Sequence, residues 1–172
     1  LNVMEYDPTE QGIKMKSTSW FDDLQNEMDN FEPDLIAMST TEDMWSLGLT
    51  FLNSIKGTLK KKKIPVVVGG VFATFAPDLV VASDLVNMAC VGEGEKALVD
   101  LANRIGKGIC YENVTNLWVK TEDGRLVKNG ITDPVDINSL PMIDLSLFED
   151  QRLYRPMAGK WYRMLPVETI RG

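Results

Sequence analysis

Three short stretches carry side chains and bare backbone able to meet a ligand: Ser39-Thr40-Thr41, Gly69-Gly70 with Val71, and Gly92-Glu93-Gly94-Glu95. Each follows an apolar run of the kind that forms a buried strand. Hydroxyls, bare backbone amides and the starts of following helices suit a ligand carrying phosphate or amide groups. Glycine adds close approach, because no Cβ stands between the main chain and what faces it. Small polar residues also cap ordinary strand-to-helix turns, and the residues by themselves leave both readings open. Glu93 and Glu95 are poor phosphate ligands and better acceptors for amide N–H groups. As an acid–base pair they lack any further group that would complete a mechanism.

The elements that must position these stretches follow from hydrophobic spacing. Pro65 to Val68 (P-V-V-V) is a β-branched run suited to a strand covered on both faces. Leu1 to Tyr6, Asp34 to Thr40 and Val86 to Val91 read as further strands. Ser19 is a helix cap with Asp22 three residues on, and Trp20, Leu24, Met28 and Phe31 mark the apolar face of a helix over 20–31, stopped by Pro33. Trp45, Leu49, Leu52, Ile55 and Leu59 predict one long helix over about 42–59, ending in Lys60 to Lys63. Pro77-Asp78 opens a short helix to about Ala82. A helix over 95–105 is expected to bury Leu98, Leu101, Ala102 and Ile105. Four strand–helix repeats require a parallel sheet, whose strand ends share one edge. The three polar stretches therefore converge on one rim.

After about residue 110 the pattern changes. Val114 to Lys120 and Leu126 to Lys128 flank Glu122-Asp123-Gly124, a hairpin signal with glycine at the left-handed position. Residues 131–172 hold Pro134, Pro141, Pro156 and Pro166 and read as an extended linker. The expected organisation is a flavodoxin-like, Rossmann-like α/β domain over 1–110, a β-hairpin over 111–130 and a linker over 131–172.

Composition narrows the function. The 172 residues are 44% hydrophobic and 25% charged with a net charge of −7, which disfavours nucleic acid or an anionic membrane as partner. No apolar stretch approaches the roughly 20 residues that span a bilayer. Cys90 and Cys110 make neither a disulfide framework nor a metal-ligand spacing, and the chain reads as cytoplasmic. It contains no histidine, so no imidazole from these residues can serve as base, nucleophile partner or metal ligand.

Five segments in order carry a resemblance: P-D-L-I-A-M-S-T-T at 33–41, V-V-V-G-G-V-F-A-T-F-A-P-D at 66–78, V-G-E-G-E at 91–95, D-I-N-S-L-P-M-I-D at 136–144 and E-T-I-R-G at 168–172. Together they resemble the cobalamin-binding domain, and the linker behind it, of cobalamin-dependent radical SAM enzymes. That family includes methylases, methylthiotransferase-like enzymes and the anaerobic magnesium-protoporphyrin monomethyl ester cyclases.

The resemblance implies a corrinoid held without a protein histidine. The D-x-H-x-x-G motif is absent, and Phe72 stands at the histidine position of G-G-x-H-x-T. It places Ser39, Thr40 and Thr41 near the lower face or nucleotide tail, Gly69, Gly70 and Val71 against the tail, and Gly92, Glu93, Gly94 and Glu95 at the closing rim. Met44 and Trp45 have two readings, packing on the corrin face or in the helix core.

S-adenosylmethionine and a 4Fe-4S cluster would belong to a catalytic barrel beyond Gly172, whose reaction would be methyl transfer or oxidative cyclisation. This stretch is expected to be inactive alone. Leu1 to Asp7 resembles the family's second strand, so the first strand is expected to be missing and a two-fold dimer to cover the bare edge. The alternative is a corrinoid-free α/β interaction domain docking on the barrel. A flavin- or nucleotide-binding protein of the same fold would need a phosphate loop that is not evident.

Overall fold

A computed structural model of the chain describes residues 19–148 and 153–165. The expected strand at Leu1 to Tyr6 and the segment at 168–172 lie outside the described residues. The described residues fall into two compact units, one over 19–135 and the other from Asp136 onward.

The first unit begins with α1 (Trp20–Phe31), where Ser19 Oγ accepts the Asp22 N–H at 3.4 Å. The helix ends at Glu32, whose φ of 48° is left-handed, just before Pro33. Met28 is its buried residue and Leu24 packs beside it. Phe31 and Trp20, at the two ends of the helix, lie exposed despite their spacing. Next come β1 (Ile36–Ser39), α2 (Trp45–Ser54) and α3 (Lys56–Lys62).

The single helix expected over 42–59 is therefore two helices broken at Ile55. Ser54 Oγ donates back to the Phe51 carbonyl at 2.6 Å and Gly57 follows, both of which weaken helix continuity. The lysines do occupy the last turn of α3, where they favour the helix dipole.

Strand β2 (Val66–Gly69) is followed by α4 (Val71–Phe75), a five-residue helix not anticipated, and α5 (Pro77–Val81), with Pro77 in its first turn as expected. Strand β3 (Met88–Cys90) leads into α6 (Glu95–Gly106). Ala97 and Leu101 are the buried residues of α6, with Leu98 and Ile105 partly buried; Ala102 is exposed, on the far side of the helix.

Strands β1, β2 and β3 are parallel, with Ser39 opposite Gly69. The predicted hairpin forms as β4 (Leu117–Lys120) and β5 (Leu126–Lys128), with Gly124 at φ 85°. It pairs antiparallel onto β3, so the sheet is mixed, in the order β1-β2-β3-β4-β5.

Strand alternation divides the core between the two faces of the sheet. Val66, Val68 and Ala89 meet α1 to α5 on one face. Val67, Met88, Cys90, Leu117 and Val119 meet α6 on the other. Trp118 packs on the first face with the Lys128 ammonium 3.8 Å from its ring centroid.

In the second unit, Asp136 and Asp144 each open a 3-10 turn, accepting the N–H of Asn138 and of Ser146 at 3.0 Å. A second hairpin, β6 (Tyr154–Met157) with β7 (Lys160–Arg163), stands where the sequence reads as extended linker. Its two turn residues, Ala158 (φ 51°) and Gly159 (φ 72°), are both left-handed, as a two-residue hairpin loop requires. Pro156 masks the strand in the sequence, yet a two-stranded ribbon has free edges that tolerate proline.

Candidate functional site

The parallel strands bring the three polar stretches to one edge of the sheet, and hydrogen bonds join them. Ser39 pairs with Gly69, and the Thr40 N–H donates to the Gly69 carbonyl at 3.1 Å. Thr40 is buried, its carbonyl accepts the Phe72 N–H at 3.3 Å, and its hydroxyl donates to the Thr41 carbonyl at 2.9 Å. The Thr41 hydroxyl bonds the Asp43 carboxylate, and Ser39 is exposed on the rim.

The two adjacent glycines differ in role. Gly70 has φ 88° and ψ −174°, a conformation nearly confined to glycine. A Cβ there would lie 2.8 Å from both Ser39 Oγ and the Thr40 carbonyl oxygen. Its missing side chain thus lets two loops touch. A Cβ on Gly69 would meet only the Cys90 Cβ, at an ordinary 3.6 Å.

Thr74 ties the second loop to the third. Its hydroxyl donates to the Gly70 carbonyl at 3.0 Å and accepts the Gly92 N–H at 3.1 Å. Gly92 is left-handed at φ 83°. The Glu93 carbonyl accepts the Asn116 Nδ2–H at 2.8 Å, and its carboxylate accepts the Val135 N–H. Glu95 begins α6.

Beneath these loops Gly69, Cys90 and Gly94 form a floor of small residues. The Cys90 sulfur lies 3.7 Å from where a Gly94 Cβ would be. Burial, with the nearby Glu95 charge, pushes the Cys90 thiol up to about 11, so it stays protonated and unreactive at neutral pH. On the same loops Ser39 is exposed, as are the side chains of Val71 and Phe75, the latter 84% exposed.

Two residues beyond the expected set emerge, Thr74 and Asn116. Thr74 lies one turn into α4, whose formation the sequence does not announce. Asn116 has φ 67°, and asparagine before an apolar strand is a faint signal for a left-handed residue. Phe72 and Trp45 pack together in the core, ring centroids 5.4 Å apart, which decides the helix-core reading for Trp45. Met44 is half-exposed at the start of α2.

The lysines of α3 stand at the opposite edge, ahead of β2. Two clefts there measure about 700 Å³ and about 500 Å³. Lys62, Lys63, Glu32 and Tyr111 line the first; Lys56, Lys60, Asp84 and Lys120 line the second. Neither includes any of the expected site residues.

A family model described as "B12 binding domain" matches residues 9–102, more than half of the chain. Among solved structures, the cobalamin-dependent S-adenosylmethionine radical enzyme OxsB with aqua-cobalamin bound is 21% identical, with a TM-score of 0.58 over 69% of this chain and 16% of that one. The radical S-adenosylmethionine methyltransferase TsrM from Kitasatospora setae, with cobalamin and a 4Fe-4S cluster bound, is 21% identical, with a TM-score of 0.56 over 72% of this chain and 24% of that one. At this identity the likeness is one of fold, and the chain spans at most about a quarter of those proteins. No curated protein matches it by sequence.

Proposed function

The chain belongs to the B12-binding domain family, and on that premise we propose that its rim holds a corrinoid on behalf of a cobalamin-dependent radical SAM enzyme. The observation carrying this is the fused rim: three loops bonded to one another above the floor of Gly69, Cys90 and Gly94. Ser39, Thr40 and Thr41 would line the lower face or nucleotide tail. Gly69, Gly70 and Val71 would meet the tail, and Gly92, Glu93, Gly94 and Glu95 would close the rim.

When bound, the corrinoid would supply the cobalt chemistry. These residues would bind and orient it, and none of the 172 can offer cobalt an imidazole. S-adenosylmethionine and the 4Fe-4S cluster would reside in a barrel of the same parent chain, which would transfer a methyl group or carry out an anaerobic oxidative cyclisation. Free Cys90 and Cys110 fit the reducing cytoplasm, where we place the protein. Among the described residues, no helix is long and apolar enough to cross a membrane.

Hydroxocobalamin titration tests the proposal. Micromolar binding with a base-off spectrum is expected. Gly69→Leu should weaken it about tenfold, equivalent to about 1.4 kcal/mol, while leaving the chain folded. No binding up to millimolar ligand would favour the corrinoid-free docking domain instead.

A two-fold dimer is the second part of the proposal. The outer edge of β1 pairs with no strand among the described residues. Left unpaired, such an edge would template pairing with a second copy. Light scattering across a dilution series should show association that fades on dilution. A clean monomer at tens of micromolar would remove the dimer.

A further inference from the structure

Asn116 makes more bonds than its place in a turn requires. It is 4% exposed with φ 67°, and its main chain already pairs on both sides, donating to the Gly130 carbonyl at 3.0 Å and accepting the Val91 N–H at 2.8 Å. Its side chain then spans two segments. Nδ2 donates to the Glu93 carbonyl at 2.8 Å, and Oδ1 accepts the Thr132 N–H at 2.7 Å and the Thr132 hydroxyl at 3.2 Å.

Glu93 repeats the connection by accepting the Val135 N–H, and Val135 is buried. Ile131 lies against Gly92, its Cγ2 3.3 Å from where a Cβ would be. Residues 131–135 are thus fastened to the 92–93 loop at three points, although they follow the last strand of the sheet.

We infer that Asn116 is a positioning residue, a latch through which the chain leaving the sheet at 131–135 sets the conformation of the 92–95 rim loop. The physical reason is the low exposure of the amide: a buried side-chain amide is held to its partners, because releasing one leaves a polar group unpaired. Displacement of the segment after Val135 would pull on Glu93 from both ends and shift the loop. Through Thr74 the shift would reach Gly70. The consequence for ligand affinity rests on the corrinoid reading of the rim; the mechanical link does not.

Two variants separate the halves of the latch. Asn116→Gly keeps the left-handed backbone without strain and deletes every side-chain bond. Asn116→Asp keeps the acceptor for Thr132 but turns an oxygen toward the Glu93 carbonyl, cutting only the rim side. Amide hydrogen exchange is read on the whole chain without cofactor.

In the glycine variant, Thr132, Val135 and Gly92 should each exchange about tenfold faster, while Val67 and Val68 stay unchanged. In the aspartate variant, Gly92 should accelerate and Thr132 should stay slow. Hydroxocobalamin affinity should fall about fivefold in both. Unchanged Gly92 exchange in either variant, or full wild-type affinity in both, would overturn the inference. If the wild type binds no hydroxocobalamin, the proposed function fails and the exchange data alone decide the latch.

Discussion

Gly70→Ala should destabilise the first unit by roughly 2–6 kcal/mol before any ligand is added. Two costs combine. The φ of 88° with ψ near 180° is a region in which a side chain costs about 1–3 kcal/mol. The new methyl would also stand 2.8 Å from Ser39 Oγ and the Thr40 carbonyl oxygen and 2.9 Å from the Thr40 nitrogen. Ser39 Oγ can swing aside, but the Thr40 backbone cannot, because it is pinned by bonds to Gly69 and Phe72. Overpacking against fixed atoms adds about 1–3 kcal/mol.

Gly69→Ala is the control. Its methyl finds only the Cys90 Cβ at 3.6 Å, and its stability should stay within about 1 kcal/mol of wild type. Urea unfolding followed by tryptophan fluorescence measures both. Equal midpoints for the two alanine variants would show that Gly70 does not carry the loop contact.

That contrast marks where the sequence stops being informative. Gly69 and Gly70 are identical neighbours, and both read as room for a ligand. Only the adjacent strand, which places Thr40 against one and Cys90 against the other, tells them apart. Local signals did suffice for α1, where Ser19 and Pro33 bracket the helix within the residues that form it. They sufficed also for the rim, since apolar β-branched runs ending in small polar residues imply parallel strands with a common edge.

The break at Ile55 was legible only in hindsight, from a serine that bonds backward and a glycine that follows. Asn116 was not legible, because its partners Glu93 and Thr132 lie 23 and 16 residues away. The hairpin at Tyr154–Arg163 was hidden because alanine is a weak turn signal and Pro156 argues against a strand.

Leu101→Ala should have a comparably large effect, for a reason set by the layering of the sheet. The face bearing Val66 and Val68 is covered by residues from five helices, whereas α6 is the one helix in the cluster on the face bearing Val67 and Met88, among the described residues. Leu101 is fully buried there, packed in the cluster with Val67, Met88, Val114, Leu117 and Val119. Truncating a buried leucine to alanine costs about 2–5 kcal/mol, and the upper half applies where rigid strands cannot collapse into the cavity.

The melting temperature should fall by roughly 7–20 °C, from a loss of about 3.5–5 kcal/mol at about 2–4 °C per kcal/mol for a chain of this size. The loss should reach the rim as well. The first turn of α6 is bonded to it, the Leu98 N–H donating to the Gly94 carbonyl at 2.8 Å. Gly92 exchange should therefore accelerate along with the melt, as it should not in Leu59→Ala, whose cavity opens on the opposite face beneath α3. A Leu101→Ala chain within about 1 kcal/mol of wild type, or one whose Gly92 amide stays protected, would mean that α6 does not hold the rim in place.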